Sequence, residues 1–171
     1  HWSFAVDAGH SANHTADFYN AIDAANLPLP ALTVLTHWHW DHTFGMHAVN
    51  GLTLASMKTN RCLMDFAARV KREGIETFYG LDERIRREYR GNTDVRITPS
   101  DMTYEVRMDL DAGNCPIRVL ETASPHTDDS TLIEAPGEKV LFVGDATCGA
   151  FPSWEKEPAL CRQLAETIRL T

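Results

Sequence analysis

The chain has 171 residues, 43% of them hydrophobic and 23% charged, ordinary usage for about one globular domain, so intrinsic disorder and collagen-like repeats are excluded. The 16 basic and 24 acidic residues leave a formal net charge of −8, which disfavours nucleic acid and anionic lipid as partners. No apolar run approaches the roughly 20 residues of a membrane span.

In chain order, residues 2–7 read as a short strand closed by the Ala8-Gly9 turn. Alanines with Phe18 and Ile22 at helical spacing predict a helix over 12–25, broken at Leu27-Pro28-Leu29-Pro30. Residues 31–36 read as a buried strand that runs directly into His37-Trp38-His39-Trp40-Asp41-His42. A short helix over 43–49 ends at Asn50-Gly51, and 52–55 form another buried strand. Cys62, Leu63, Phe66 and Val70 recur as on an amphipathic helix that Gly74 ends, and a second helix covers 82–89. The stretch 59–90 interleaves Arg69, Lys71, Arg72, Arg84, Arg86, Arg87 and Arg90 with acids, as a solvated helical face does. A docking patch for an anionic substrate or partner is the alternative. The second half is strand-rich, over 95–98, 102–110, 117–121, 131–134 and 139–143, with turns at 111–114 and 135–138. A last helix runs over 157–170. Sheets covered by helices in a layered α/β sandwich, within a single domain, are the expected architecture.

Cys62, Cys115, Cys148 and Cys161 form no C-x-x-C pair and no framework spacing. They read as reduced, mostly buried thiols of a cytoplasmic protein. The start at His1 lacks the charged and apolar segments of a signal peptide, and also lacks an initiator Met, so a shortened native start is expected.

The run from His37 to His42 carries the chemistry. In extended backbone, side chains at i and i+2 point the same way, so His37 and His39 can face one point. Asp41 continues the alternation, and His42 turns off it. Three imidazoles and a carboxylate in six residues make a poor core, because burying them unpaired costs several kcal/mol. As metal ligands they suit zinc, iron or manganese.

On this H-x-H-x-D-H run the chain resembles the metallo-β-lactamase-fold hydrolase superfamily. Val6-Asp7-Ala8-Gly9 looks like that family's strand-ending Asp-x-Gly turn. Ser124-Pro125-His126-Thr127 looks like its later turn with a lone metal-binding His, and Leu141-Phe142-Val143-Gly144-Asp145 like its strand-ending Gly-Asp. The resemblance implies a four-layer αββα sandwich lacking edge elements at both ends. It implies that His37, His39 and His126 bind one metal, that Asp41 and His42 bind a second, and that Asp145 bridges the two. Asp7 then steadies a ligand imidazole. The implied cofactor is zinc, as two ions, with iron or manganese as other options. The implied chemistry is hydrolysis by a hydroxide formed from a metal-bound water, which Asp41 orients and whose proton it accepts. Esters, thioesters, lactones, amides and phosphodiesters suit this chemistry, and a small-molecule ester, thioester or lactone fits the acidic composition best.

The same resemblance implies a further His from a Gly-His turn after the last Asp, and no His follows Asp145 in this sequence. Shortening at both ends is the expected reason. Asp145 in place of a Cys argues against the zinc β-lactamases that use Cys there. The alternatives are a mononuclear iron dioxygenase or redox enzyme using two of His37, His39 and His126 with Asp145, and a catalytically incomplete metal-binding domain. Trp40 and His10 are candidates for the substrate groove, though each also suits packing or surface. Trp38 is expected to point into packing. His14 and His47 read as surface residues, and Asp128 or Asp129 as a partner of His126 or a turn cap. The stretch 59–90 reads as a cap over the groove or as a packing insert. The oligomeric state is not readable.

Overall fold

A computed structural model describes residues 3–90 and 95–171. Strands β1 (Ser3–Val6), β2 (Pro30–Val34), β3 (Leu52–Ser56) and β4 (Met102–Tyr104) lie side by side in that order, all parallel. The near-continuous apolar run of β2 fits this, because a parallel strand is covered on both faces. Leu32 and Val34 face one side, and Leu35, just beyond the strand, faces the other. Parallel neighbours need crossovers, supplied by α1 (Ala12–Ala24) and α3 (Met57–Glu73). Ser11 and Ser56 cap these helices: their hydroxyls accept from the backbone N–H of His14 and Thr59. Two short helices, α4 (Glu76–Tyr79) and α5 (Glu83–Glu88), follow α3 before the chain returns to β4.

The second sheet is antiparallel, in the order β5 (Arg107–Asp111), β6 (Pro116–Glu121), β7 (Thr131–Ala135), β8 (Val140–Phe142). Its inner face, Ile117, Val119, Ile133 and Ala135, packs on Leu32, Val34, Leu54 and Tyr104 of the first sheet. Leu132 alternates to the far face and meets Leu164 of α6 (Pro158–Leu170). On the outer face of the first sheet, Leu35 and Ala55 meet Leu63, Phe66, Phe78, Ile85 and Tyr89 from α3 to α5 and the residue after. The layers are therefore helices, sheet, sheet, helix, an αββα sandwich. Among the described residues, no helix is long and apolar enough to cross a membrane.

Four expectations need correction. Residues 95–98 are not a strand; Val95 and Ile97 instead pack, partly buried, on the helical cluster. The span 102–110 is two strands in different sheets, because the chain crosses between sheets at Glu105-Val106. The helix expected over 43–49 comes earlier, as α2 (Trp40–Thr43), with a 3-10 turn at Met46–Ala48. All four cysteines are free, as expected, but half-buried rather than buried.

The two sheets are stitched together at one end. The Thr131 N–H at the start of β7 donates to the Thr36 carbonyl just past β2 (2.7 Å), and the Tyr104 and Thr131 hydroxyls share a 2.6 Å hydrogen bond. The segments that leave β1, β2, β6 and β8 all emerge there. This is the end that carries the histidines.

Candidate metal centre

Asp7 ends β1 in a left-handed turn (φ 62°), which aims its carboxylate across the end of β2. That carboxylate accepts from Thr36 N–H (2.7 Å), from the Thr36 hydroxyl (2.9 Å) and from His42 Nδ1 (2.7 Å). The helical turn α2 begins directly after His39, and this bend brings His42 back beside His37, their rings 4.1 Å apart. The turn can close because position 45 is glycine. A Cβ there would stand 2.1 Å from the Ala8 carbonyl oxygen and 2.3 Å from Thr15 Oγ1.

Hydrogen-bond partners fix which ring nitrogens face inward. The Thr36 hydroxyl gives its proton to Asp7, so it accepts from His37 Nδ1–H (3.1 Å), and His37 Nε2 is left with a lone pair. His126 Nδ1 faces the Gly149 carbonyl oxygen at 2.8 Å and must donate, so His126 Nε2 is left likewise. His39 Nδ1 lies between them, 3.1 Å from His37 Nε2 and 2.9 Å from His126 Nε2. One N–H on His39 can serve one of these acceptors, not both. A cation among the three nitrogens satisfies all of them, and such spacing suits imidazoles bound to one ion at about 2.0–2.1 Å. The donor set therefore fits a divalent metal.

A second group overlaps the first. His37, His42 and Asp145 bring ligand atoms within 4.8 Å of one another. With Nδ1 donating to Asp7, His42 presents Nε2, 3.6 Å from an Asp145 oxygen and 3.9 Å from an Asp41 oxygen. Asp145 also lies 3.8 Å from His126 Nε2, so it stands between the two groups. Asp41 sits at the edge, about half exposed, in neither tight group.

Electrostatics follow from burial and crowding. Desolvation and neighbouring imidazoles push His37 far below the ordinary histidine range and His39 down to about 4, so both keep lone pairs at neutral pH. Burial opposes a charge on His42, but Asp145 and Asp7 outweigh it and hold its pKa up at about 10. His42 in turn holds Asp145 below the usual carboxylate range.

Some expected roles do not match what the residues touch. Neither Asp128 nor Asp129 meets the His126 ring; the Gly149 carbonyl does. Asp129 is a buried anchor, accepting from Trp38 N–H (2.9 Å), Thr59 Oγ1 (2.8 Å) and Thr127 Oγ1 (2.6 Å). Burial pushes its pKa up. Trp38 does pack, against Phe66 (5.6 Å), yet it also lines a cavity of about 330 Å³ beside His39, His126 and Asp145. Trp40 does both as well, meeting Phe78 at 6.3 Å and lining the same cavity. His10 is not among the residues lining this cavity. It stacks on His14 (4.1 Å) and pairs with Glu88 (3.2 Å), beside Trp40. Within the stretch 59–90, Phe66 and Phe78 are core residues and cavity walls at once. The wall contributed by Phe151, Pro152 and Trp154 was not anticipated from sequence.

No protein-family model and no curated protein sequence matches the chain significantly. Solved structures do. The chain is similar to the DIM-1 metallo-β-lactamase at 22% identity and a TM-score of 0.57, covering 84% of this chain and 52% of that one. It is similar to a metallo-β-lactamase from Cronobacter sakazakii at 13% identity and 0.62, covering 97% and 58%. The FEZ-1 metallo-β-lactamase from Legionella gormanii matches at 11% identity and 0.59, covering 99% and 64%. The chain thus has the metallo-β-lactamase fold, and it spans about half to two thirds of the length of these proteins.

Proposed function

We propose that this chain is a metal-dependent hydrolase acting on an ester, thioester, lactone or related bond of a small molecule. The observation that carries the reading is the convergence of His37 Nε2 (3.1 Å) and His126 Nε2 (2.9 Å) on His39 Nδ1, with the outer nitrogens of His37 and His126 held by fixed acceptors. The fold supports it, since its solved neighbours are metallo-β-lactamases.

His37, His39 and His126 would hold one divalent cation. Asp41 and His42 would hold a second, with Asp145 between the two. Zinc suits three imidazoles best, and iron or manganese are alternatives. Held there, such cations would supply a bound water of lowered pKa and a Lewis acid for the substrate oxygen. The protein's own groups do the rest. Asp7 would hold the His42 Nδ1 proton, so that a cation displaces the proton on Nε2, while Thr36 keeps His37 in the tautomer that presents Nε2. Asp41, half exposed at the cavity edge, would orient a water and take its proton. The hydroxyl that remains adds to the carbonyl carbon, the acyl bond to the leaving group breaks, and the proton goes to the leaving group.

A second reading rests on the His37, His42 and Asp145 group, two imidazoles and one carboxylate, a set that suits mononuclear iron. Metal analysis after purification without added metal separates the readings. Zinc with esterase or thioesterase turnover supports the hydrolase; one iron with oxygen consumption supports the redox enzyme. The Asp41→Ala variant tests the role of Asp41: turnover should fall by 100-fold or more while metal at the three-histidine group remains, about the range for a lost general base. The net charge of −8 and the free thiols favour a small-molecule substrate and a cytoplasmic setting over nucleic acid or membrane.

A further inference from the structure

The cavity beside the histidines has walls that the metal chemistry does not use. Trp38 and Trp40 flank His39 in sequence, Phe66 and Phe78 come from the helical stretch, and Phe151 and Trp154 come from the loop after Asp145. Three separate segments of the chain thus converge to line one hollow with aromatic rings. The walls are continuous with the metal group: Phe151 lies 6.1 Å from His39, and Trp154 stacks 6.3 Å from His126. A group seated between these rings therefore puts an attached carbonyl beside the imidazoles.

The charges on the lining are cancelled. Arg69 donates to Glu73 (2.9 Å), and Arg84 donates to Asp82 (2.7 and 3.0 Å), each paired within its own helix or its cap. The remaining charged liners, Asp41 and Asp145, are carboxylates. In the metal-free protein nothing in this lining greets an anionic side group, and two carboxylates repel one. At about 330 Å³ the hollow lies at the small end of the roughly 300–1,000 Å³ range of ligand pockets, room for a ring-sized group rather than a long chain.

We propose that this cavity receives an uncharged, aromatic-sized apolar group on the acyl side of the scissile bond. The proposal rests on the hydrolase reading above and narrows it to aryl-acyl or comparably bulky esters and thioesters.

The tryptophans supply a direct readout. The chain has four, and Trp38, Trp40 and Trp154 line the cavity. Zinc-loaded protein is titrated with 4-phenylbutanamide, acetamide and succinamate while tryptophan emission is followed, and the titrations are repeated after chelation. 4-Phenylbutanamide should change the emission saturably and bind at least about tenfold more tightly than acetamide, with or without zinc, as burial of a phenyl ring requires. After chelation, succinamate should bind no better than acetamide. Leu81 lines the rim, 43% exposed, so Leu81→Arg can add a free cation there without disturbing the core. That variant should lose affinity for 4-phenylbutanamide and gain affinity for succinamate. Equal binding of 4-phenylbutanamide and acetamide, or preference of the chelated, unmodified protein for succinamate over 4-phenylbutanamide, overturns the proposal. Because emission is read without turnover, that failure would leave the metal reading standing, whereas failure to bind zinc would sink the metal reading, and with it the assignment to an acyl side, even if the apolar group still bound.

Discussion

At the scale of single residues, the site is a problem of lone pairs. Two imidazoles are forced by Thr36 and Gly149 to turn lone pairs inward, and a third cannot satisfy both. Thr36→Val removes the acceptor for His37 Nδ1 and a donor to Asp7 together. It should weaken zinc binding by about 10–100-fold, the usual effect of losing an outer partner of a ligand. Chelator competition measures it, and unchanged affinity would count against the tautomer argument. The run from His37 to His42 was legible in sequence because extended backbone converts an i, i+2 spacing into a shared direction. Asp7 was legible through its turn. The Gly149 carbonyl was not, because every residue has a carbonyl and only the folded loop selects this one. His10 is the converse case: its place next to a motif turn allowed either the groove or the surface, and only the fold shows that Glu88 and His14 meet its ring.

At the scale of elements, short connections place the ligands. Gly144 joins β8 to Asp145 at φ 53°, and a Cβ there would stand 2.7 Å from Thr36. Gly144→Ala is strained twice over, by backbone and by contact, and should displace Asp145 from His42. A destabilisation of about 1–3 kcal/mol together with weaker metal binding is the expected result, read by denaturant unfolding and by chelator competition. On α3, burial raises the Cys62 thiol from 9.0 to about 11. The unfolded chain therefore releases this proton first, and stability should fall as pH rises from about 9 to 11. Alkylation of Cys62 should likewise lag behind that of an ordinary thiol across that window, and an ordinary rate at pH 9 would contradict its burial. Two misread elements have physical causes. Residues 102–110 alternate like one strand, but sequence cannot show that Glu105 and Val106 carry the chain from one sheet to the other. Residues 95–98 have strand-like composition, yet Val95 and Ile97 are taken up by the helical cluster instead of a sheet edge.

At the scale of the whole molecule, the ligands divide between the two sheets. His37, His39 and His42 follow β2 of the parallel sheet, while His126 and Asp145 follow β6 and β8 of the antiparallel one. A metal bound by both sets ties the layers together at the end where Thr131 already joins them. Binding to the folded state alone adds about 4 kcal/mol when metal exceeds its Kd by about 1,000-fold. For a chain of this size, about 2–4 °C of Tm accompanies each kcal/mol. Chelation should therefore lower Tm by on the order of 10 °C in thermal melts, and restored zinc should recover it. A layered α/β sandwich was legible in the sequence because helical and strand periodicities both occur along the chain, whereas the four-layer αββα order came only with the family resemblance. The aromatic cavity was only partly legible: Trp40 was a candidate, but Phe151 and Trp154 join it only after the last loop folds back.

The three-imidazole group is the premise on which every other role depends, and an equilibrium zinc titration of metal-free protein against a competing chelator tests it directly. Wild-type protein should take up zinc saturably and in competition with the chelator, and His39→Ala and His126→Ala should each lose that binding while remaining folded by circular dichroism. Zinc uptake that is absent in wild type, or undiminished in both variants, would contradict a metal held by His37, His39 and His126.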